Sequence, residues 1–137
     1  MRSTSPALGV LGLLIVAVIA AALYTTGGPL TARAERRDEV RHGDLNRLVD
    51  YVQCVADKED GQPPETLSRS SDCWQDIRLN DPYSGEPYRY EKLSDVSFRV
   101  CATFETEQPE RASPMPDDRF DPSSGCLYSQ SYTRRLR

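Results

Sequence analysis

The chain has 137 residues, with 17 basic and 21 acidic side chains, a formal net charge of −4 and 38% hydrophobic residues. That length suits about one domain and excludes a doubly wound nucleotide-binding fold. Arg2 is the one charged residue before position 31, so residues 31–137 carry 16 basic against 21 acidic groups. Their net of −5 speaks against nucleic acid, whose phosphates need a basic face. Apolar content is too high for a disordered chain.

Residues 1–6 form a short tail. Residues 7–24 read ALGVLGLLIVAVIAAALY, 18 residues without a charge or a strongly polar group. As a helix they span about 27 Å, close to a hydrocarbon core of about 30 Å. Thr25 and Thr26 extend the run by bonding back to the helix, so the anchor covers residues 7–26, and Gly27, Gly28 and Pro29 break it. A core helix buried by a small polar domain is excluded, because an apolar surface all round leaves no face for water. The run is longer than the apolar segment of a signal peptide. Ala20 with Ala22, and Ala32 with Ala34, give A-x-A patterns, one inside the run and one well past it. An uncleaved anchor is therefore expected.

Two signals disagree on orientation. Arg33, Arg36, Arg37 and Arg41 follow the span, which by the positive-inside rule puts the following segment in the cytoplasm. Cys54, Cys73, Cys101 and Cys126 are even in number, widely spaced and free of C-x-x-C, a pattern typical of oxidising compartments. The cysteines carry more weight here. The expectation is a single-pass protein of the inner (cytoplasmic) membrane, with residues 31–133 as a periplasmic or extracellular domain.

Residues 31–57 read as a helix, with Leu45, Leu48, Val49, Val52 and Ala56 on one apolar stripe. The alternating charges in front of that stripe, Arg33 to Arg41, read as a solvated stalk paired along the helix. Gly43 is its weak point, and Gly61, Pro63 and Pro64 end it. Residues 65–79 read as a short helical turn around Leu67 and then a loop. Asp81-Pro82-Tyr83-Ser84-Gly85 is a turn signal, and Tyr88-Arg89-Tyr90 opens a strand. Val96, Phe98, Val100, Ala102 and Phe104 alternate with polar residues and Cys101 over 96–105, a half-buried strand that pairs with the previous one as a hairpin. Residues 108–124, with four prolines, read as a surface loop. Residues 126–132 are long enough for a last strand, and Arg134, Arg135 and Arg137 form a basic tail.

So thin an apolar inventory needs staples. Four cysteines allow three pairings. The expected one is Cys54–Cys73 and Cys101–Cys126, each closing a short loop. A zinc site is disfavoured, because zinc ligands are usually closely paired in sequence. The fold class expected is α+β: an amino-terminal transmembrane helix, then an amphipathic helix packed on a small antiparallel sheet, with two disulfides.

Three segments carry a resemblance: Pro64-Glu65-Thr66-Leu67, then Asp81-Pro82-Tyr83-Ser84-Gly85-Glu86-Pro87-Tyr88-Arg89-Tyr90, then Phe98-Arg99-Val100-Cys101-Ala102-Thr103-Phe104. Over about residues 33–105 the chain resembles small bacterial single-pass membrane proteins. Their periplasmic domain is similar to the pseudopilins of type II secretion systems. Asp81, Pro82, Gly85, Pro87, Tyr88 and Tyr90 are the residues of the turn-strand motif. The resemblance implies a fold and a role in protein contacts. It does not extend to the family's Gly-Phe processing site, since the apolar run holds neither an acid nor a phenylalanine. Asp117, Asp118 and Asp121 lie in the region of that family's calcium loop but read as a solvated acidic loop.

No catalytic motif is present: the chain lacks G-x-S-x-G, H-E-x-x-H and a P-loop. His42 reads as a surface residue. Asp57-Lys58-Glu59-Asp60-Gly61 reads as a helix end, since it lacks the alternating acids of a calcium loop. Trp74, Tyr83, Tyr88 and Tyr90 read as packing residues more than as an aromatic binding patch. The expected function is a non-catalytic structural or protein-interaction role, with no cofactor, no nucleic acid and an unknown protein partner. The alternatives are a secreted, disulfide-stapled binding or inhibitor module released by signal cleavage, and a hydrolase-like enzyme with an acid pair that the sequence does not identify.

Overall fold

A computed structural model describes residues 6–73, 76–110 and 119–131, with Thr26 as backbone alone. The architecture is α+β. Helix α1 runs Pro6–Thr26 and helix α2 Gly28–Lys58. Strands β1 Arg89–Lys92, β2 Ser97–Cys101, β3 Arg119–Asp121 and β4 Cys126–Gln130 form one antiparallel sheet in the order β1-β2-β4-β3.

Helix α1 is apolar on every side, and none of its apolar window is buried against protein. Its 21 residues are long enough, at about 31 Å, to cross a bilayer. Thr25 donates its hydroxyl to the carbonyls of Ala21 and Ala22, so its polar group is satisfied inside the helix. The break is confined to Gly27 and Gly28, whose φ angles of 78° and 71° only glycine takes without cost. Helix α2 starts three residues earlier than residue 31, because Pro29 fits a first helical turn, where its missing N–H costs nothing.

Helix α2 is unbroken at Gly43, which is exposed and meets no atom where a Cβ would stand. It ends at Lys58, before the glycine and prolines read as its stop. Asp60 and Gly61 turn left-handed, and the Gly61 N–H closes back on the Ala56 carbonyl at 2.8 Å. The whole predicted stripe, Leu45, Leu48, Val49, Val52 and Ala56, is buried. It packs against Phe98, Val100, Phe120 and Leu127 from the inner face of the sheet.

Several expectations are corrected. The region around Leu67 has no helix. Strand β1 starts at Arg89, with Tyr88 just outside it. The stretch read as one surface loop holds the edge strand β3, and β4 is an inner strand between β2 and β3. Val96 is half exposed, in the hairpin turn, where the N–H groups of Leu93 and Ser94 bond the Ser97 carbonyl. The strand expected over 96–105 stops at Cys101. Arg89 faces Cys101, so the register sets Thr103 opposite Pro87, which has no N–H to give. Beyond it the N–H groups of Glu105 and Thr106 turn to the Asp38 carboxylate at 2.9 and 2.8 Å.

Both disulfides have the expected partners. Cys54–Cys73 ties α2 to the loop after it, and Cys101–Cys126 joins β2 to β4 across the sheet. Ser131 bonds both Gly61 and Val96, which sets the β1–β2 hairpin tip beside the carboxyl end of α2. The 81–87 turn and the 104–108 segment lie beside the amino half of α2, nearer α1 in the chain. Residues 28–37 of α2, about 15 Å of helix, precede its first buried residue, Asp38.

Candidate functional site

The polar layer under the 81–87 turn is built on Arg41. Asp81 opens that turn: its Oδ1 accepts the Tyr83 N–H at 2.8 Å, and its carbonyl accepts the Gly85 N–H at 2.9 Å. Gly85 takes the positive φ that closes the turn. The other carboxylate oxygen, Oδ2, accepts Arg41 Nε at 2.5 Å. Arg41 Nη1 also reaches Asp38 Oδ1 at 2.7 Å and Glu105 Oε1 at 2.8 Å. Its guanidinium lies 5.7 Å from the centre of the half-exposed Tyr83 ring. Arg37 closes the outer side with a forked pair to Glu105.

Asp38 is the acceptor that gathers the 104–108 segment. Besides Arg41 it takes the N–H groups of Glu105 and Thr106, the Thr106 hydroxyl at 2.6 Å and Gln108 Nε2 at 3.0 Å. Burial alone would push the Asp38 carboxyl up, but these donors hold it below the ordinary carboxylate range. Burial acts the same way on Asp81, where the Tyr83 N–H and Arg41 outweigh it. Glu105 is held down at about 2 by Arg37 and then Arg41.

Next along α2, His42 is buried, which corrects its reading as a surface residue. It meets Gln108 Oε1 at 2.8 Å, and its ring lies 4.5 Å from those of Phe104 and Phe120. Asp44, also buried, accepts the Tyr88 hydroxyl at 2.9 Å, and Arg78 approaches it at 3.3 Å. Burial and then Asp44 push the Tyr88 hydroxyl up. Tyr90 donates to the Pro64 carbonyl at 2.6 Å, and burial pushes it up to about 12. Helix α2 therefore carries four buried polar or charged residues, Asp38, Arg41, His42 and Asp44, and the first two lie in the stretch read as a solvated stalk.

The motif residues divide by role. Asp81, Tyr88 and Tyr90 bond α2 or the loop after it. Gly85 closes the turn, Pro87 ends the ladder and Pro82 lies exposed in the turn. Tyr83, Tyr88 and Tyr90 do not form one patch, since they are exposed, buried and half-buried respectively. Trp74, Asp117, Asp118, Tyr132 and the basic tail lie outside the described residues. Asp121 caps its own turn through the Ser123 and Ser124 hydroxyls. No group of three His, Cys, Asp or Glu residues among the described ones is arranged to hold a metal ion. The guanidinium of Arg41 fills the space among the three carboxylates around it. Asp38, Asp81 and Arg41 are bonded to one another or to the two loops and are almost wholly covered, so this layer fastens the two loops to the helix.

Sequence reasoning missed this layer. A signal existed: Asp38 and Arg41 continue the 45, 48, 52 stripe at helical spacing, toward the membrane side. Comparison with protein-family models, with curated proteins and with solved structures finds no match.

Proposed function

We propose that this chain is a single-pass protein of the cytoplasmic membrane whose pseudopilin-like domain stands on the extracytoplasmic side. There it works by binding another protein and performs no chemistry. The observation that carries this reading is one junction. A 21-residue helix with no buried apolar window runs, through two glycines, straight into a domain closed by two disulfides. The helix demands a hydrocarbon solvent, and the disulfides demand an oxidising one. Arginines 33, 36, 37 and 41 follow the span and pull toward the cytoplasm by the positive-inside rule. Against that count stand the two disulfides, to which the reading gives the greater weight.

Protease added to intact spheroplasts, followed by intact mass of the membrane-bound remainder, tests the reading. The expected result is loss of the domain and retention of a fragment containing α1. Full protection would place the domain in the cytoplasm and refute it. A native mass lacking the first 20–34 residues would favour the secreted, disulfide-stapled module.

A further inference from the structure

Beside the end of β2 lies a depression of about 470 Å³, within the range of about 300–1,000 Å³ usual for small-molecule sites. Ala102 and the half-buried Phe104 give it an apolar lining. The segments around it are held by the protein's own bonds. The 122–125 turn hangs on Asp121, whose Oδ1 accepts the Ser123 N–H and whose carbonyl accepts the Gly125 N–H, both at 3.0 Å. The 104–108 segment hangs on the Asp38 carboxylate through Glu105, Thr106 and Gln108. A ligand therefore meets a shape that is already formed and orders little on binding.

Three residues of this lining have no hydrogen bond or ion pair among the described residues. Arg89 is exposed, and Glu91, the acid two residues on along the same strand face, is taken by Arg99 at 2.9 Å. Glu107 is exposed and unpaired, although Thr106 and Gln108 on either side of it are bound to Asp38. Arg89 and Glu107 line the same depression and do not reach each other. Thr103, two residues beyond Cys101, the register partner of Arg89, has both its N–H and its carbonyl unbonded, because the ladder has ended at Pro87. One cation, one anion and one free peptide unit thus line a single open volume, with no excess of either sign.

The complementary ligand carries a carboxylate for the guanidinium, an ammonium for Glu107 and a peptide bond between them. A free amino acid holds both charges on one carbon and has no peptide bond. A glycan lacks the ammonium, and an internal stretch of protein lacks both termini. We propose that this depression binds a short zwitterionic peptide of about two or three residues, which spans about 7–10 Å when extended. Arg89 receives its carboxyl terminus, Glu107 its amino terminus, and the Thr103 main chain bonds its peptide group. The site is additional to the protein contact read for the domain and stands or falls apart from it.

The test uses the full chain, nitrogen-labelled and in detergent micelles, with the dipeptide Ala-Ala as the probe. Titration at millimolar dipeptide is expected to shift the amide resonances of Thr103 and Gly125 saturably. N-acetyl-Ala-Ala, which lacks the ammonium, and Ala-Ala amide, which lacks the carboxylate, should each bind at least about tenfold more weakly. R89A should lose the preference for the free carboxylate and keep that for the free amine. E107Q should do the reverse. K58A, which removes a charge at the far end of α2, should bind as the natural protein does. Unchanged circular dichroism confirms that the variants are folded. No saturable shift, equal binding of the blocked peptides, or variants that keep both preferences overturn the proposal. Free alanine bound as tightly as Ala-Ala would make this an amino-acid site and also overturns it.

Discussion

Arg41 and Asp81, 40 residues apart in the sequence, meet with Nε 2.5 Å from Oδ2, their side chains 3% and 6% exposed. That contact turns α2 from a stalk into the frame of the domain. It holds the 81–87 turn in place, and through Tyr88 that turn also reaches Asp44.

Removing the cation should cost more than removing one acid. Arg41→Ala leaves Asp38 and Asp81 buried without their partner, a change of about 3–5 kcal/mol. Asp81→Asn keeps the shape and some hydrogen bonds, so it should cost less. Denaturant midpoints of the two variants, compared with the natural protein, give the order. An Arg41→Ala variant as stable as the natural chain would show that the layer contributes little.

Acid should loosen the same layer. Asp38, Asp81 and Glu105 all have folded pKa values below their ordinary ones, Glu105 at about 2. Carboxylates of that kind stabilise fully above their unfolded pKa of about 4 and lose the contribution as pH falls through the folded value. The thermal midpoint should therefore show no loss from these groups between neutrality and about pH 4, then fall toward about pH 2. Asp38→Asn should flatten the fall. A midpoint that rises on acidification contradicts this assignment.

Each disulfide should contribute about 3 kcal/mol on the chain-entropy view, since the loops close over separations of 19 and 25 residues. C54A/C73A and C101A/C126A should each lower the denaturant midpoint, and reductant should do the same to the natural protein. A reduced protein that unfolds at the same denaturant concentration would exclude the staple role.

Two glycines should respond in opposite directions to alanine. Gly125 has φ 65°, and a Cβ there would stand 2.5 Å from the Ala102 carbonyl oxygen and 3.1 Å from the Phe104 ring. Gly125→Ala should therefore cost about 1–3 kcal/mol or more. Gly43 lies in an open helix interior, so Gly43→Ala should stabilise by about 0.5–1 kcal/mol. Thermal midpoints of the two variants give both signs.

What the sequence disclosed was local or periodic. The 45–56 stripe, the alternation of Phe98, Val100 and Ala102, the Asp81 to Gly85 turn and the order of the cysteines all carry their signal within a few residues. What it concealed was long-range. Asp38 finds its donors 67 to 70 residues away, and nothing near Asp38 announces that Glu105, Thr106 and Gln108 will come to it. Arg41 among alternating charges has the look of a solvated face, and burial follows only from carboxylates supplied by two distant loops. The three residues of β3 are too few to show a period, and the prolines before them mark a loop. The end of β2 was hidden in Pro87, whose effect on Thr103 depends on a register that the sequence does not state.

The measurement that bears most directly on the tethered, oxidised domain is a peptide map of the native protein, made without reductant from isolated membranes. The account predicts α1 peptides in the membrane fraction together with two crosslinked pairs, Cys54 with Cys73 and Cys101 with Cys126. Four free thiols in that fraction would contradict it.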